Sequence, residues 1–467
     1  RLKYRYIDLR SEQMQTNIRF RHEISKTTRE YFNSIGFIEV ETPILAKSTP
    51  EGARDFLVPS RINPGKFYAL PQSPQLFKQT LMFSGFDRIY QIARCFRDED
   101  LRADRQPEFT QIDLEMTFVD VDDVINATEG LFSEIFENVL KRDITTPFKR
   151  ITWQESMERY GSDKPDLRFD LELKEITEIF SESELKIFND VVKSGGSIKC
   201  IIVPEGDKFS RKELDELVDL AKSSGAGGLA WVKTVSENEL QSPITKFLSE
   251  TEIKALINTL NLKVNDLVLI VADKFRTTCE VLGDIRLHLA KKLELIDNDV
   301  FEFVWVYDFP LFEWDENEKR LTSVHHPFTR PDKDGEKLLD KEPLKAKSLA
   351  YDIVLNGEEI GGGSIRINES NLQHKVFKLL NIDDATIEEN FGFLVKALEF
   401  GAPPHGGIAL GMDRMVMVLG KLDTIREVIA FPKTQSAVGL LTGSPSLVSE
   451  KQLEEVHISI LTDEEED

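Results

Sequence analysis

Apolar residues recur near helical spacing through residues 11–35, at Met14, Ile18, Ile24, Tyr31, Phe32 and Ile35, with charges between them. The pattern predicts a long amphipathic helix ended by Gly36. Residues 37–40 read as a short strand, stopped by Pro43. Pro71 and Pro74 set a turn before a helix through Gln75 and Lys78, with Ser73 as a candidate cap. Residues 89–96 and the stretch from Phe109 onward read as two strands joined by a charged loop. The second strand alternates, with Gln111, Asp113 and Glu115 on one face. Three polar side chains on a strand face are odd for a core and suit the floor of an active site. A solvated hairpin with surface ion pairs is the competing reading.

Residues 121–145 and 153–160 carry two more helical patterns. Between about 168 and 275 the texture changes to short apolar strands and short helices, with a capping box at Ser210 and Glu213. That stretch predicts a compact α+β unit of domain size, its glycines serving as turn formers. A helix at 281–294 and a strand at 301–306 follow. Asn356-Gly357 is a strong hairpin signal between residues 351–355 and 358–366. A glycine-rich strand then runs through Gly407 and Gly411 into an apolar helix beginning near Met412.

The chain has 467 residues, 40% hydrophobic and 30% charged. That length exceeds one core and implies two or three domains. The net charge of −23 argues against non-specific nucleic-acid binding through a global positive field, and leaves room for a specific RNA met by local basic patches. The acidic run at 463–467 reads as a solvated end. No apolar run is long enough to span a bilayer. Cys95, Cys200 and Cys279 are far apart and lack metal-ligand spacing, so a reduced, cytoplasmic protein is expected. The chain begins at Arg1 rather than Met, as expected of a processed or truncated product.

Several side chains have chemistry of their own. Arg97, at the edge of the first strand pair, could grip a phosphate with its guanidinium fork. Gln75 and Lys78 share a helix face and could hold a small acidic group. Asp352 and Glu359 fall on facing strands of the Asn-Gly hairpin, where hard carboxylates suit Mg²⁺. The glycines at 361–363 allow a ligand close to the backbone. His325 and His326 invite a metal, but adjacent residues of an extended chain point apart. One histidine facing a substrate is the simpler expectation.

Phe96-Arg97-x-Glu99, then Arg105-x-x-x-Phe109-x-x-x-Asp113, resembles motif 2 of the class II aminoacyl-tRNA synthetases. Residues 11–43 resemble motif 1, and residues 401–414 resemble motif 3, with Ala409 and Asp413 departing mildly from its usual residues. The wording QSPQLFKQ at 72–79 resembles the aspartyl/asparaginyl branch, and residues 166–278 resemble the inserted domain of its bacterial aspartyl members.

The resemblance implies an α+β fold: an antiparallel sheet flanked by helices. Its catalytic parts would be 1–165 and 279–435, with a C-terminal extension at 436–467. The family's upstream β-barrel anticodon-binding domain is expected to be missing. The implied reaction joins L-aspartate and ATP, with Mg²⁺, into aspartyl-adenylate, then moves the aspartyl group to tRNA-Asp, with tRNA-Asn as a second acceptor. A cytoplasmic homodimer with no membrane association is implied.

The resemblance also assigns roles. Arg97 would hold the α-phosphate, Phe109 would stack under adenine, and Arg414 would cover its other side. Asp98, Glu99, Gln106, Glu359, Gly411, Met412 and Asp413 would complete the nucleotide site, with Asp352 and Glu359 on Mg²⁺. Lys78 and Arg366 would bind the substrate's side-chain carboxylate. Glu51, Ser73, Gln75 and Asp113 would orient its ammonium end, with Arg97 nearby and His325 closing over it. Two cations around one carboxylate would favour aspartate over asparagine. An asparaginyl enzyme, a tRNA-independent paralogue and a non-catalytic relative are the alternatives.

Overall fold

The computed structural model describes residues 1–49, 53–100 and 104–461. The chain forms two compact units. One comprises Arg1–Phe148, Phe309–Asp352 and the chain from Ile360 onward; the other comprises Lys149–Asp308 with Ile353–Glu359.

In the first unit the helix Glu12–Ser34 starts where Ser11 Oγ accepts from Met14 N at 3.3 Å. It buries Met14, Ile24 and Phe32, and Gly36 turns the chain out at a φ of +84°. Phe32 packs on Phe37 and Tyr90, which fixes the helix against the sheet. Only Ile38–Glu39 of the expected strand is formed, and it runs parallel to Arg88–Phe96. The sheet is therefore mixed, where the resemblance implied antiparallel strands throughout. Beyond that edge come Arg88–Phe96, Glu108–Thr117, His405–Gly411, Glu358–Ile365 and Ala350–Leu355, in that order. Asp113 lies opposite Gln91 on one side and Ala409 on the other; Glu115 lies opposite Ile89 and Gly407.

The Glu108–Thr117 strand is buried from Thr110 onward. Its period-2 pattern sends Ile112, Leu114 and Met116 to one face and Gln111, Asp113 and Glu115 to the other. Both faces are covered, so three polar side chains are held away from water. Gly407 permits this: a Cβ there would meet Leu114 O at 2.1 Å and Glu115 Oε2 at 2.2 Å. Gly361 and Gly363 also face neighbouring strand backbone, with Leu410 and Tyr351 beside them. They make room for close strand packing. The expected helix at 121–145 is shorter. Val121–Ile135 is α-helical behind an Asp120–Asp123 capping box, and a π-turn over Phe136–Leu140 ends it.

The second unit holds a five-stranded sheet in the order Glu239–Gln241, Ala230–Ser236, Leu267–Asp273, Ser197–Val203, Lys174–Glu175. Leu267, Leu269 and Val271 face one core with Leu214, Leu217 and Leu282; Val268 and Ile270 face another with Phe188 and Leu256. Burial on both faces explains why these strands read as continuous apolar runs. The unit is longer than residues 166–278, because the helix Phe275–Lys292 joins its core through Val281, Leu282, Ile285 and Leu289. The hairpin at Asn356-Gly357 forms as expected, with both residues at positive φ.

Candidate active site

The polar face of the central strand carries a closed set of charges. Lys78, from the helix Gln75–Phe83, reaches down to Asp113 Oδ1 at 3.1 Å and Glu115 Oε2 at 3.4 Å. Arg366 meets Glu115 bidentately, Nε to Oε1 at 2.9 Å and Nη2 to Oε2 at 3.1 Å. All four side chains are at most 5% exposed. Burial pushes Asp113 above the usual carboxylate range, with Lys78 opposing. Burial also works against ionised Glu115, but Arg366 and Lys78 outweigh it and hold the group below that range. Glu115 likewise raises Arg366 against the effect of burial. The two cations expected to await a substrate carboxylate are already balanced by two carboxylates.

Two buried polar atoms beside them have no hydrogen-bond partner among the described residues: Gln75 Nε2 and Asp113 Oδ2. One is a donor and the other an acceptor, and each is an unmet demand a zwitterionic ligand could satisfy. Ser73 Oγ accepts from Gln75 N at 3.3 Å, while Pro74 holds the N-cap position expected of Ser73. Glu51 lies outside the described residues.

The histidine pair divides. His325 Nε2 sits 3.0 Å from Asp352 Oδ1, its ring edge-on to Phe309. His326 Nε2 sits 2.7 Å from Arg366 Nη1. Glu115 and His326 were not among the expected site residues. The alternation 111/113/115 was the signal for Glu115; nothing in the sequence told His326 from His325.

Around the strand-pair loop the charges pair with one another. The Arg97 guanidinium lies 5.1 Å from the Phe109 ring centroid, and its Nε faces the Gln72 carbonyl at 3.4 Å. Arg105 binds Glu99, Arg54 approaches Asp98, and Arg414 Nη2 meets Asp104 Oδ2 at 2.9 Å. Gln106 is turned inward: its amide clamps the Lys433 backbone, accepting from N at 2.7 Å and donating to O at 3.2 Å. Asp413 is buried between Arg21 Nη1 at 2.5 Å and Thr110 N at 2.7 Å. Met412 is buried in the core, and Gly411 precedes the helix Met412–Leu419. Thus Arg97 lies on Phe109 while Glu99 and Arg414 pair with Arg105 and Asp104 of the loop, and Gln106, Met412 and Asp413 make contacts within the scaffold.

A match to the family model for class II tRNA synthetases (D, K and N) runs from residue 1 to residue 435. The chain belongs to the class II tRNA synthetases. Within this family it is 58% identical over 460 residues to an aspartate–tRNA(Asp/Asn) ligase of Caldanaerobacter subterraneus subsp. tengcongensis, covering 98% of this chain and 78% of that protein. It is 56% identical over 471 residues to the aspartate–tRNA(Asp/Asn) ligase of Persephonella marina, covering 100% and 78%. It is 52% identical over 460 residues to the aspartate–tRNA ligase of Ruminiclostridium cellulolyticum, covering 98% and 78%.

Asp352 is the carboxylate of the first unit expected to meet Mg²⁺; Glu359 belongs to the second. Among the described residues no three His, Cys, Asp or Glu side chains gather as a metal cage. An Mg²⁺ that travels with nucleotide phosphates needs only one or two protein carboxylates, so Asp352 fits that mode.

Proposed function

We infer that this synthetase is an aspartate–tRNA ligase. It condenses L-aspartate with ATP into aspartyl-adenylate, releasing pyrophosphate, and passes the aspartyl group to the terminal ribose of tRNA. The observation that carries the amino-acid assignment is the buried Lys78–Asp113–Glu115–Arg366 array beside two unpartnered polar atoms. The substrate ammonium is suited to Asp113 Oδ2, a substrate oxygen to Gln75 Nε2, and the side-chain carboxylate to the Lys78 and Arg366 end. Ser73 lines the same approach. Selectivity cannot rest on unpaired cations, since Glu115 already meets both.

The chemistry asks little of any side chain as a nucleophile. A substrate carboxylate oxygen attacks the α-phosphorus and pyrophosphate departs, so positioning and charge neutralisation supply the catalysis. Arg97 is the cation for the α-phosphate, and Phe109 offers its face to adenine once Arg97 turns from ring to phosphate. Arg414 exchanges Asp104 for the nucleotide's outer phosphate, with Glu99 beside it. Mg²⁺ neutralises phosphate charge when bound, and Asp352 would hold it. The acceptor is tRNA-Asp, with tRNA-Asn second. Residues 166–278 act as an inserted domain and the stretch from 436 as an extension. The enzyme acts in the cytoplasm as a homodimer; the edge strand Ile38–Glu39 and the exposed Ile44 and Leu45 offer apolar surface for a second copy.

The test is amino-acid-dependent ATP–pyrophosphate exchange with aspartate, asparagine and lysine compared. Exchange with aspartate alone is expected; exchange with asparagine alone would move the chain to the rival branch. In Arg366→Leu, aspartate-dependent exchange should vanish while ATP still binds. Retained exchange in that variant would sink the pocket assignment. Because the substitution leaves Glu115 only the Lys78 it shares with Asp113, a melting curve must accompany it, with a stability loss of about 3–5 kcal/mol expected.

A further inference from the structure

The ladder between the strands Glu108–Thr117 and His405–Gly411 closes at Gln111 opposite Gly411. The N–H of the next residue toward the loop, Thr110, is taken by a side chain instead: Asp413 Oδ2 accepts it at 2.7 Å. Asp413 lies in the first turn of the helix Met412–Leu419 and is 3% exposed. One carboxylate oxygen thus ties this helix start to the strand. The other, Oδ1, meets Arg21 Nη1 at 2.5 Å. Arg21 comes from the long helix Glu12–Ser34, one turn beyond Asn17, whose amide donates to Glu427 O at 3.1 Å. A buried carboxylate stays ionised only beside a partner cation. Arg21 supplies that charge and the second anchor.

The residues next to these bonds are the ones the nucleotide site uses. Phe109 precedes Thr110, and Arg414 follows Asp413. The Arg97 guanidinium lies on the Phe109 ring, and Arg414 reaches out to Asp104. Met415, Val416 and Leu419 bury the rest of the helix in the core, so its existence does not depend on Arg21. What Arg21 adds is the placement of its first turn.

We propose that Arg21 is a positioning residue for the nucleotide site: through Asp413 it fixes the helix start that carries Arg414 against the strand that carries Phe109. The proposal rests on the adenylate-forming reading of that surface and extends it to a side chain that acts through another. A displacement of about 1 Å at a cation that meets phosphate can cost on the order of a hundredfold in rate.

The experiment is aspartate-dependent ATP–pyrophosphate exchange, with the KM for ATP and the KM for aspartate measured separately. The variants are Arg21→Leu, Arg414→Ala and the two combined. In Arg21→Leu the ATP KM should rise by about tenfold or more, with the aspartate KM within about twofold of wild type. A pair that only stabilises the fold would lower the fraction of active enzyme and leave both KM values unmoved. That result overturns the proposal, as does an equal rise in both. In the Arg414→Ala background, Arg21→Leu should change the ATP KM by less than about threefold, because effects that share one path do not add. A full tenfold change there also overturns it. Arg21→Leu leaves a buried carboxylate without its cation, so Arg21→Leu combined with Asp413→Asn is measured beside it. The asparagine carbonyl can still accept from Thr110 N and needs no counter-charge. This variant should show the same rise in ATP KM, and a wild-type ATP KM in it overturns the proposal. Absence of aspartate-dependent exchange in the wild type, or an Arg414→Ala variant with the wild-type ATP KM, would be a different failure, that of the adenylate-forming reading itself.

Discussion

Lys78, Arg366, Asp113 and Glu115 matter as a set, because removing any one leaves a charge in a place water does not reach. Two neutral histidines flank them. His405 is fully buried, its Nδ1 2.9 Å from the Pro403 carbonyl and its Nε2 3.2 Å from Gln79 Nε2. Burial holds both His405 and His326 below the ordinary value of 6.5. In the unfolded chain each imidazole takes a proton as pH falls through about 6.5, whereas in the fold neither does until lower pH. The unfolded state then binds more protons, so stability is full above that pH and falls below it. The thermal midpoint should drop between about pH 7.5 and 5.5, and drop less steeply in His405→Gln. An unchanged slope in that variant would show that another group titrates.

The elements explain why the motif glycines are unequal. Gly407 lies in the middle of a strand, against Leu114 O and the Glu115 carboxylate, at distances a Cβ cannot share. Gly411 meets nothing closer than Ile360 O at 3.8 Å. Gly407→Ala should overpack the sheet, lose about 1–3 kcal/mol or more, and displace Glu115 from Arg366. Gly411→Ala should stay within about 1 kcal/mol of wild type, the scale of a helix-start substitution. Denaturant midpoints for the pair, with aspartate-dependent exchange, check both statements. Asp413 has a structural task at the start of the same helix. Its two oxygens tie Arg21 of the long N-terminal helix to Thr110 N of the central strand.

Over the whole molecule, a chain of net charge −23 must meet tRNA through local cations, so charging should weaken steeply with added salt. Self-association is the other question at this scale. Ile38 and Leu45 are 52% and 53% exposed at the sheet's edge strand and just beyond it, an unusual place for branched apolar side chains unless a second copy covers them. Sedimentation should return twice the monomer mass, and Ile38→Asp should shift the protein toward monomer without changing its helix content. A wild type that sediments as a monomer at micromolar concentration would remove the dimer from the reading.

What the sequence determined by itself was local and chemical. The helix from Glu12, the strand pair 88–96 and 108–117, the Asn356-Gly357 turn and the capping box at Ser210 all stand where propensity and periodicity put them. A period-2 face and a distinctive helix start brought Asp113 and Lys78 to notice, and the family resemblance brought Arg366; the fold places all three in one set of ion pairs with Glu115. These signals lie within a few residues of one another, where backbone geometry dictates which side chains share a face. Tertiary structure decided the rest. It chose His326 over His325 for Arg366, put Glu115 between the two cations, joined Gln106 to the Lys433 backbone and Asp413 to Arg21, and made the edge strand parallel. Each of those depends on residues tens to hundreds of positions apart competing for the same donors and acceptors. No local pattern records which competitor wins.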